Sequence, residues 1–120
     1  MALHNDFGRE AEKKAADFLR FAGYEILETN WRYQKAEIDI IAQKDNALII
    51  IEVKARSDDR VLSPEEAVTH SKRKLLILAA DAYVTEKDLD INVRFDIISV
   101  LKQDNEWKIT HIEDAFDALS

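Results

Sequence analysis

The feature that most constrains the fold is a pair of isoleucine-rich segments, Glu37 to Lys44 and Ala47 to Lys54, separated only by Asp45 and Asn46. Short runs of this kind, rich in β-branched residues, predict strands. Aspartate and asparagine tolerate the left-handed backbone of a tight turn. The two segments therefore predict a β-hairpin.

A turn centred on these two residues sets the register of the hairpin. One face is expected to be wholly apolar, with the pairs Ile38–Val53, Ile40–Ile51 and Ala42–Ile49. The other face changes from aliphatic to charged towards one end, with the pairs Ile41–Ile50, Asp39–Glu52 and Glu37–Lys54. Two carboxylates are thus expected to lie directly opposite each other.

Opposed carboxylates on paired strands destabilise a sheet, and a divalent cation would cancel their repulsion. Oxygen-only ligands suit Mg²⁺, which takes one or two carboxylates and several waters. Lys54 follows Glu52 on the same face and would hold its ammonium group beside the ion. This combination suits phosphoryl chemistry, because a metal polarises the phosphate and activates water while a lysine stabilises the developing charge. The alternative is a solvated ladder of charges formed by Asp39, Glu52 and Lys54.

Composition limits the class of protein. The chain of 120 residues predicts one domain, and the lack of cysteine excludes disulfides and thiolate metal sites. No signal core or membrane-length apolar run is present, so we expect a cytoplasmic protein with no membrane partner. The net charge of −7 weakens a nucleic-acid interpretation. However, basic residues gather in Arg32 to Lys35, Lys54 to Arg60 and Lys72 to Lys74.

The remaining segments predict helices packed against a mixed sheet. Helices are expected at 7–22, from the capping box Ser63-Pro64-Glu65-Glu66, at about 72–84 and at 114–119. Strands are expected at 24–32, 93–101 and 107–112, in addition to the first hairpin. The expected order is α-β-β-β-α-β-β-α, which belongs to the α/β class.

Several motifs resemble known families. Asp39, twelve further residues and then Glu52-Val53-Lys54 resemble the signature of the restriction-endonuclease-like, or PD-(D/E)xK, nucleases. Nearly the whole chain resembles the bacterial YraN-type family, which is related in fold to Holliday-junction resolvases, through the stretches GREAEKKAADFLRFAGYEILETNWR, EIDIIA, IIIEVKAR, EEAVTHSKRKLLILAADAYV and RFDIISV. The chain has Ala11 and Ala36 where that family usually has glycine.

The resemblance implies a restriction-endonuclease-like fold and a nuclease-type site. By that resemblance Asp39 and Glu52 would hold Mg²⁺, for which Mn²⁺ can substitute. Lys54 would be catalytic, and Glu12 would be the acidic residue supplied by the first helix. The implied function is metal-dependent endonucleolytic hydrolysis of phosphodiester bonds in DNA, including branched or structured DNA.

Four basic residues are candidate contacts to the nucleic acid: Arg32, Lys35, Arg56 and Lys72. The stretch Trp31 to Lys35 interleaves aromatic and basic residues, as in platforms that stack unpaired bases, whereas the alternative places Trp31 in the core. Lys72 lies on the apolar stripe of its helix, where it either reaches the carboxylates or a phosphate, or extends to solvent.

Other assignments and functions stay open. His4, His70 and His111 share no metal-ligand spacing, and Arg94 and Asp96 are expected to form a structural ion pair. One alternative function is a nucleic-acid-binding module that keeps the nuclease fold with little or no activity. Another is a protein-interaction scaffold. The sequence leaves the oligomeric state open, a homodimer included.

Overall fold

The computed structural model describes residues 2–57 and 68–118, with side chains described from residue 6 onward. Its elements are helix α1 (Ala2–Phe21), strands β1 (Glu25–Tyr33), β2 (Ala36–Lys44) and β3 (Ala47–Arg56), helix α2 (His70–Glu86), and strands β4 (Asn92–Gln103) and β5 (Glu106–Phe116). The predicted capping box at residues 63–66 lies outside the described residues. Among the described helices, none is long and apolar enough to cross a membrane.

The strands form one sheet in the order β1-β2-β3-β4-β5. Neighbouring strands are antiparallel except for β3 and β4, which are parallel. A parallel pair needs a crossover connection, and α2 lies in that connection. The predicted α/β class, with helices packed against a mixed sheet, is confirmed.

Among the described elements, one helix packs on each face of the sheet. On one face α1 contributes buried Ala11, Ala15 and Leu19 to a core shared with alternate residues of β2, β3 and β4. On the other face α2 contributes Leu76, Ala79, Ala80 and Tyr83. The methyl groups of Ala11 and Ala36 are both buried in these cores, at 0% and 3% exposure. The side chains of Ala11 and Ala36 therefore add to the packing of the two cores.

The hairpin register is confirmed from its turn to the middle of the strands. Asp45 and Asn46 both adopt positive φ angles, 51° and 64°, as a tight hairpin turn requires. The pairs Ala42–Ile49, Ile41–Ile50 and Ile40–Ile51 form as predicted.

The predicted register is wrong beyond the Ile40–Ile51 pair. There the carboxylate of Asp39 accepts a hydrogen bond from the backbone N–H of Val53 at 2.8 Å. Ile38 packs in the core beneath α2, whereas Ile40 and Val53 pack in the core beneath α1. A side chain thus replaces a backbone acceptor of the ladder, and the continuous apolar face predicted through Ile38 and Val53 is interrupted.

The C-terminal segment also differs from the prediction. Residues 114–116 continue β5 instead of beginning the helix expected at 114–119, and residue 119 lies outside the described part of the chain. Asp114 has a positive φ of 51°, and its N–H donates to the carboxylate of Asp96 at 2.9 Å. Phe116 then stacks on Phe95, with ring centroids 5.0 Å apart. These contacts stabilise an extended strand end.

Candidate functional site

The candidate site lies where β2 and β3 stop pairing. Three elements supply its acidic side chains: α1 carries Glu12, β2 carries Asp39 and β3 carries Glu52. The charges of Glu52 and Glu12 both raise the pKa of Asp39, so the three groups share one electrostatic environment. The described residues contain no ready-made cluster of three or more metal-ligating side chains. Asp39 and Glu52 are therefore the two candidate ligands, with Glu12 beside them.

Asp39 is the most perturbed of these groups. Burial and then the negative charge of Glu52 raise the pKa of Asp39 to about 8, with a smaller contribution from Glu12. The hydrogen bond from the Val53 N–H acts in the opposite direction but does not compensate. In the metal-free protein at neutral pH, Asp39 is therefore mainly protonated.

Glu52 is buried, with only 4% of the residue exposed. Its Oε2 atom lies 3.3 Å from the Nζ of Lys72 and 3.8 Å from the Nζ of Lys54. Its Oε1 atom is buried and has no hydrogen-bond partner among residues 2–57 and 68–118. The solvated charge ladder is thus wrong for Glu52, because a buried carboxylate cannot be stabilised by water.

The donor set fits a hard divalent cation. Buried polar atoms nearly always have a partner, and among the described residues Oε1 of Glu52 has none unless the protonated carboxyl of Asp39 donates to Glu52. A cation between Asp39 and Glu52 would give that oxygen a partner and remove the repulsion that raises the pKa of Asp39. Both residues offer only oxygen, as Mg²⁺ and Mn²⁺ prefer.

Two lysines complete the site from different elements. Lys54 follows Glu52 on β3, and its side chain is 35% exposed. Lys72 lies in the first turn of α2, where the hydroxyl of Thr69 caps the helix and accepts from the Lys72 N–H at 3.3 Å. Of the two alternatives for Lys72, contact with a carboxylate is confirmed. Lys54 contacts Glu52 and not the predicted Glu37.

Glu12 is held by a residue that the sequence reasoning missed. The Nδ2 of Asn30, on β1, donates to Oε1 of Glu12 at 3.0 Å. Asn30 has a positive φ of 52° inside a strand. Asparagine is depleted in strands but tolerates this conformation, so its place within a strand was the available signal.

The other predicted substrate contacts are dispersed. Arg32 is exposed and pairs with Glu37 at 3.3 Å, and Lys35 is exposed in the turn between β1 and β2. Arg56 ends β3 beyond Lys54. Trp31 packs edge-on against Tyr83 of α2 at 5.1 Å, which confirms the core alternative for its ring.

A second buried polar group is structural. Arg94 pairs with Asp96 at 2.8 Å as predicted, and His111 lies 2.7 Å from the same carboxylate. Burial raises the pKa of Asp96, but hydrogen bonds from His111, Arg94 and the Asp114 N–H outweigh it, so the net pKa is lowered. Arg94 also donates to the hydroxyl of Tyr24 at 2.8 Å. The sequence predicted the ion pair but not the network around it.

Comparison with known proteins places the chain in a family. The model of the uncharacterised protein family UPF0102 matches residues 11–100, which include all the acidic and basic residues of the candidate site. A UPF0102 protein of Flavobacterium psychrophilum is 54% identical over 97% of this chain and 98% of its own length. Those of Parabacteroides distasonis and Christiangramia forsetii are 49% and 48% identical over 98% and 97% of this chain, each covered over 98% of its length. The chain therefore belongs to the UPF0102 family, the YraN-type family that its motifs resemble.

Proposed function

We propose that this protein is a Mg²⁺-dependent endonuclease that hydrolyses phosphodiester bonds in DNA in the cytoplasm. The observation that carries the proposal is the buried Glu52, which has an acidic neighbour in Asp39 and two ammonium groups within 4 Å. One oxygen of Glu52 has no hydrogen-bond partner in the part of the chain that the structure describes. Such a group is costly to bury unless it binds something that compensates its charge. A divalent cation and a phosphate are the natural partners of these carboxylates and ammonium groups.

The chemistry of each side chain in the site suggests its role in the proposed reaction. A Mg²⁺ ion held by Asp39 and Glu52 would polarise the scissile phosphate and lower the pKa of a bound water. The ammonium group of Lys54 stabilises negative charge that develops on the phosphate. Lys72 extends from the first turn of α2 towards Glu52, and in this proposal its ammonium group contacts a non-bridging oxygen of the phosphate. Glu12 adds negative charge beside Asp39, and the hydrogen bond from Asn30 orients its carboxylate.

Branched or structured DNA is the preferred substrate class in this proposal. The support is the resemblance of the chain to the YraN-type family, which is related in fold to Holliday-junction resolvases. The net charge of −7 disfavours extended non-specific binding to duplex DNA, so contacts are expected to be local. The exposed Lys35 and the half-exposed side chains of Lys54 and Lys72 are the basic groups available for these contacts.

A cleavage assay on a DNA panel tests the proposal. Linear, flapped and four-way branched DNA are incubated with the parent protein and Mg²⁺, Mn²⁺ or chelator. We expect metal-dependent cleavage of at least one branched form, lost in Glu52→Gln and retained in Asp81→Asn, an exposed position on α2. Absence of cleavage across the panel with both metals, or equal cleavage by Glu52→Gln, would refute the proposal.

A second candidate is a nucleic-acid-binding module that does not cleave. It is favoured by one observation: both Lys54 and Lys72 already contact Oε2 of Glu52, which partly neutralises the carboxylate without a metal. In that case DNA binds equally well with chelator and with Mg²⁺, and no product appears. A protein-interaction scaffold would bind none of the DNA forms.

A further inference from the structure

A second aromatic and basic surface lies at the start of β5. The ring of Trp107 stacks on Phe7 of α1, with centroids 5.8 Å apart and planes at 25°. The Nζ atoms of Lys102 and Lys14 lie 5.2 Å and 5.7 Å from the centroid of the same ring. These four residues, called the Trp107 cluster below, come from α1, β4 and β5. All four are partly exposed.

The composition of the Trp107 cluster suits a single strand of nucleic acid. Proteins that bind unpaired strands combine aromatic rings, on which bases stack, with basic groups that contact the phosphates. The net charge of the chain is −7, yet two lysine ammonium groups lie beside the indole ring of Trp107. The structural alternative is that the aliphatic parts of the two lysine side chains only cover the Trp107 ring at the edge of the core.

The Trp107 cluster replaces the stacking surface that the sequence suggested around Trp31. Both tryptophans are partly exposed, but Trp31 meets Tyr83 edge-on and stacks on Tyr33, and its neighbour Arg32 is paired with Glu37. Trp107 also stacks on Phe7 and packs on the core beneath α1, but in addition two ammonium groups lie beside its ring. It also lies beyond residue 100, where the match to the family model ends.

The Trp107 cluster lies towards the same end of the sheet as the candidate active site, on the opposite face from the Glu52 carboxylate. Glu52 is level with Ile97 in the parallel β3–β4 pair, and Lys102, five residues further along β4, pairs with Trp107. The side chain of Glu52 lies on the sheet face covered by α2, whereas Trp107 packs on the face covered by α1. Between their backbones, strand geometry gives about 16 Å along the strands and about 10 Å across them, or about 19 Å. This is the length of about six base pairs of duplex.

Helix α1 carries residues of both the candidate site and the Trp107 cluster. Glu12 and Lys14 are two residues apart and therefore lie on different sides of the helix. Glu12 faces β1 through Asn30, whereas Lys14 faces β5 through Trp107. DNA that crosses the middle of α1 can contact both sides.

We propose that Trp107 stacks on an unpaired base of the DNA strand that leaves the active site, with Lys14 and Lys102 on the adjacent phosphates. The inference rests on the proposed nuclease function and narrows its substrate class to DNA with a single-stranded branch or tail. Plain duplex offers no unpaired base to Trp107 and therefore binds without this contact.

Tryptophan fluorescence tests the contact without requiring cleavage. Trp31→Phe leaves Trp107 as the only tryptophan, and Trp107→Phe leaves only Trp31. We expect a single-stranded oligodeoxynucleotide, titrated in chelator, to quench Trp31→Phe and to leave Trp107→Phe unchanged. Quenching of both variants to the same degree, or of neither, would overturn the inference.

Affinity measurements provide a second test that keeps all other residues native. Trp107→Leu keeps an apolar side chain but removes the stacking surface, and Trp107→Phe retains a smaller one. For a tailed duplex in chelator, we expect Trp107→Leu to weaken binding about 5- to 150-fold and Trp107→Phe to weaken it less. Binding of blunt duplex should not change. Equal loss for tailed and blunt DNA would assign Trp107 to folding and overturn the inference.

The outcomes separate this inference from the proposed function. Metal-dependent cleavage by the parent, together with unchanged binding by Trp107→Leu, would remove the Trp107 contact and keep the nuclease. Quenching of Trp107 by the oligodeoxynucleotide, without cleavage of any DNA form, would keep the contact and remove the nuclease.

Discussion

Replacing Asp39 by asparagine should stabilise the metal-free protein at neutral pH. The pKa of Asp39 is raised to about 8 by burial and by the charge of Glu52. Asparagine carries no charge, and its side-chain oxygen can still accept the hydrogen bond from the Val53 N–H, while its amide can donate to Glu52. The substitution thus removes the need for the folded protein to bind a proton at this position, and it keeps the contacts.

The sign and size of the effect follow from proton linkage. Below the ordinary pKa of 3.8, Asp39 is protonated in the folded and the unfolded chain, and it does not affect stability. Between 3.8 and about 8 the folded protein keeps a proton that the unfolded chain has released, so the free energy of unfolding falls as pH rises. The slope is at most about 1.4 kcal/mol per pH unit, or roughly 3 kcal/mol between pH 5 and pH 7.

Urea and thermal unfolding in chelator, at pH 5 and pH 7, measure this difference. At pH 7 we expect Asp39→Asn to exceed the parent by about 1–3 kcal/mol, which raises Tm by about 4–12 °C at this chain length. At pH 5 the gain should be smaller. Asp81→Asn, an exposed control on α2, should follow the parent at both pH values. An Asp39→Asn variant that is less stable than the parent at pH 7, with the parent's pH dependence, would refute the reasoning.

Three further predictions concern other residues. Lys54→Ala should abolish cleavage in a single-turnover assay but leave DNA affinity within a few-fold, because a group that acts in the transition state affects rate; unchanged cleavage would remove Lys54 from the site. Asp96→Asn should lower the free energy of unfolding in urea by about 3–5 kcal/mol, because it removes the charge of a fully buried carboxylate and leaves the half-buried Arg94 partly unpaired. A loss below about 1 kcal/mol would contradict this prediction. Lys35→Ala should weaken DNA binding and reduce the salt dependence of the binding constant by about one phosphate contact. An unchanged salt slope would exclude a contact between Lys35 and a phosphate.

The central hairpin and its charged end were predictable because strand periodicity and turn chemistry are local. The Asp45–Asn46 turn fixes which residues face one another, so Asp39 and Glu52 could be placed near each other from their spacing. The departure at Ile38 could not be predicted, because it depends on the Asp39 side chain accepting the Val53 N–H. The pattern of apolar and polar residues does not show that a side chain takes the place of a backbone acceptor between two strands.

Contacts between distant elements were less accessible to sequence reasoning. Lys72 lies far along the chain from Glu52, and its approach depends on the crossover that places α2 on the sheet. The expected terminal helix is replaced by strand because Asp114 donates to Asp96, eighteen residues earlier. Trp31 and Trp107 could not be ranked as stacking surfaces until the positions of Tyr83 and the lysines were known.

The central claim is that Asp39 and Glu52 bind a divalent cation, and calorimetric titration with Mn²⁺ tests it most directly. At pH 7 in metal-free buffer, the parent should bind Mn²⁺ and release close to one proton, because Asp39 with a pKa of about 8 is protonated before the ion binds. The proton is counted by repeating the titration in buffers of different ionisation enthalpy. Asp39→Asn should bind at least tenfold more weakly and release no proton, whereas Asp81→Asn should match the parent. Equal Mn²⁺ affinity in the parent and Asp39→Asn, with no proton released by either, would contradict the account.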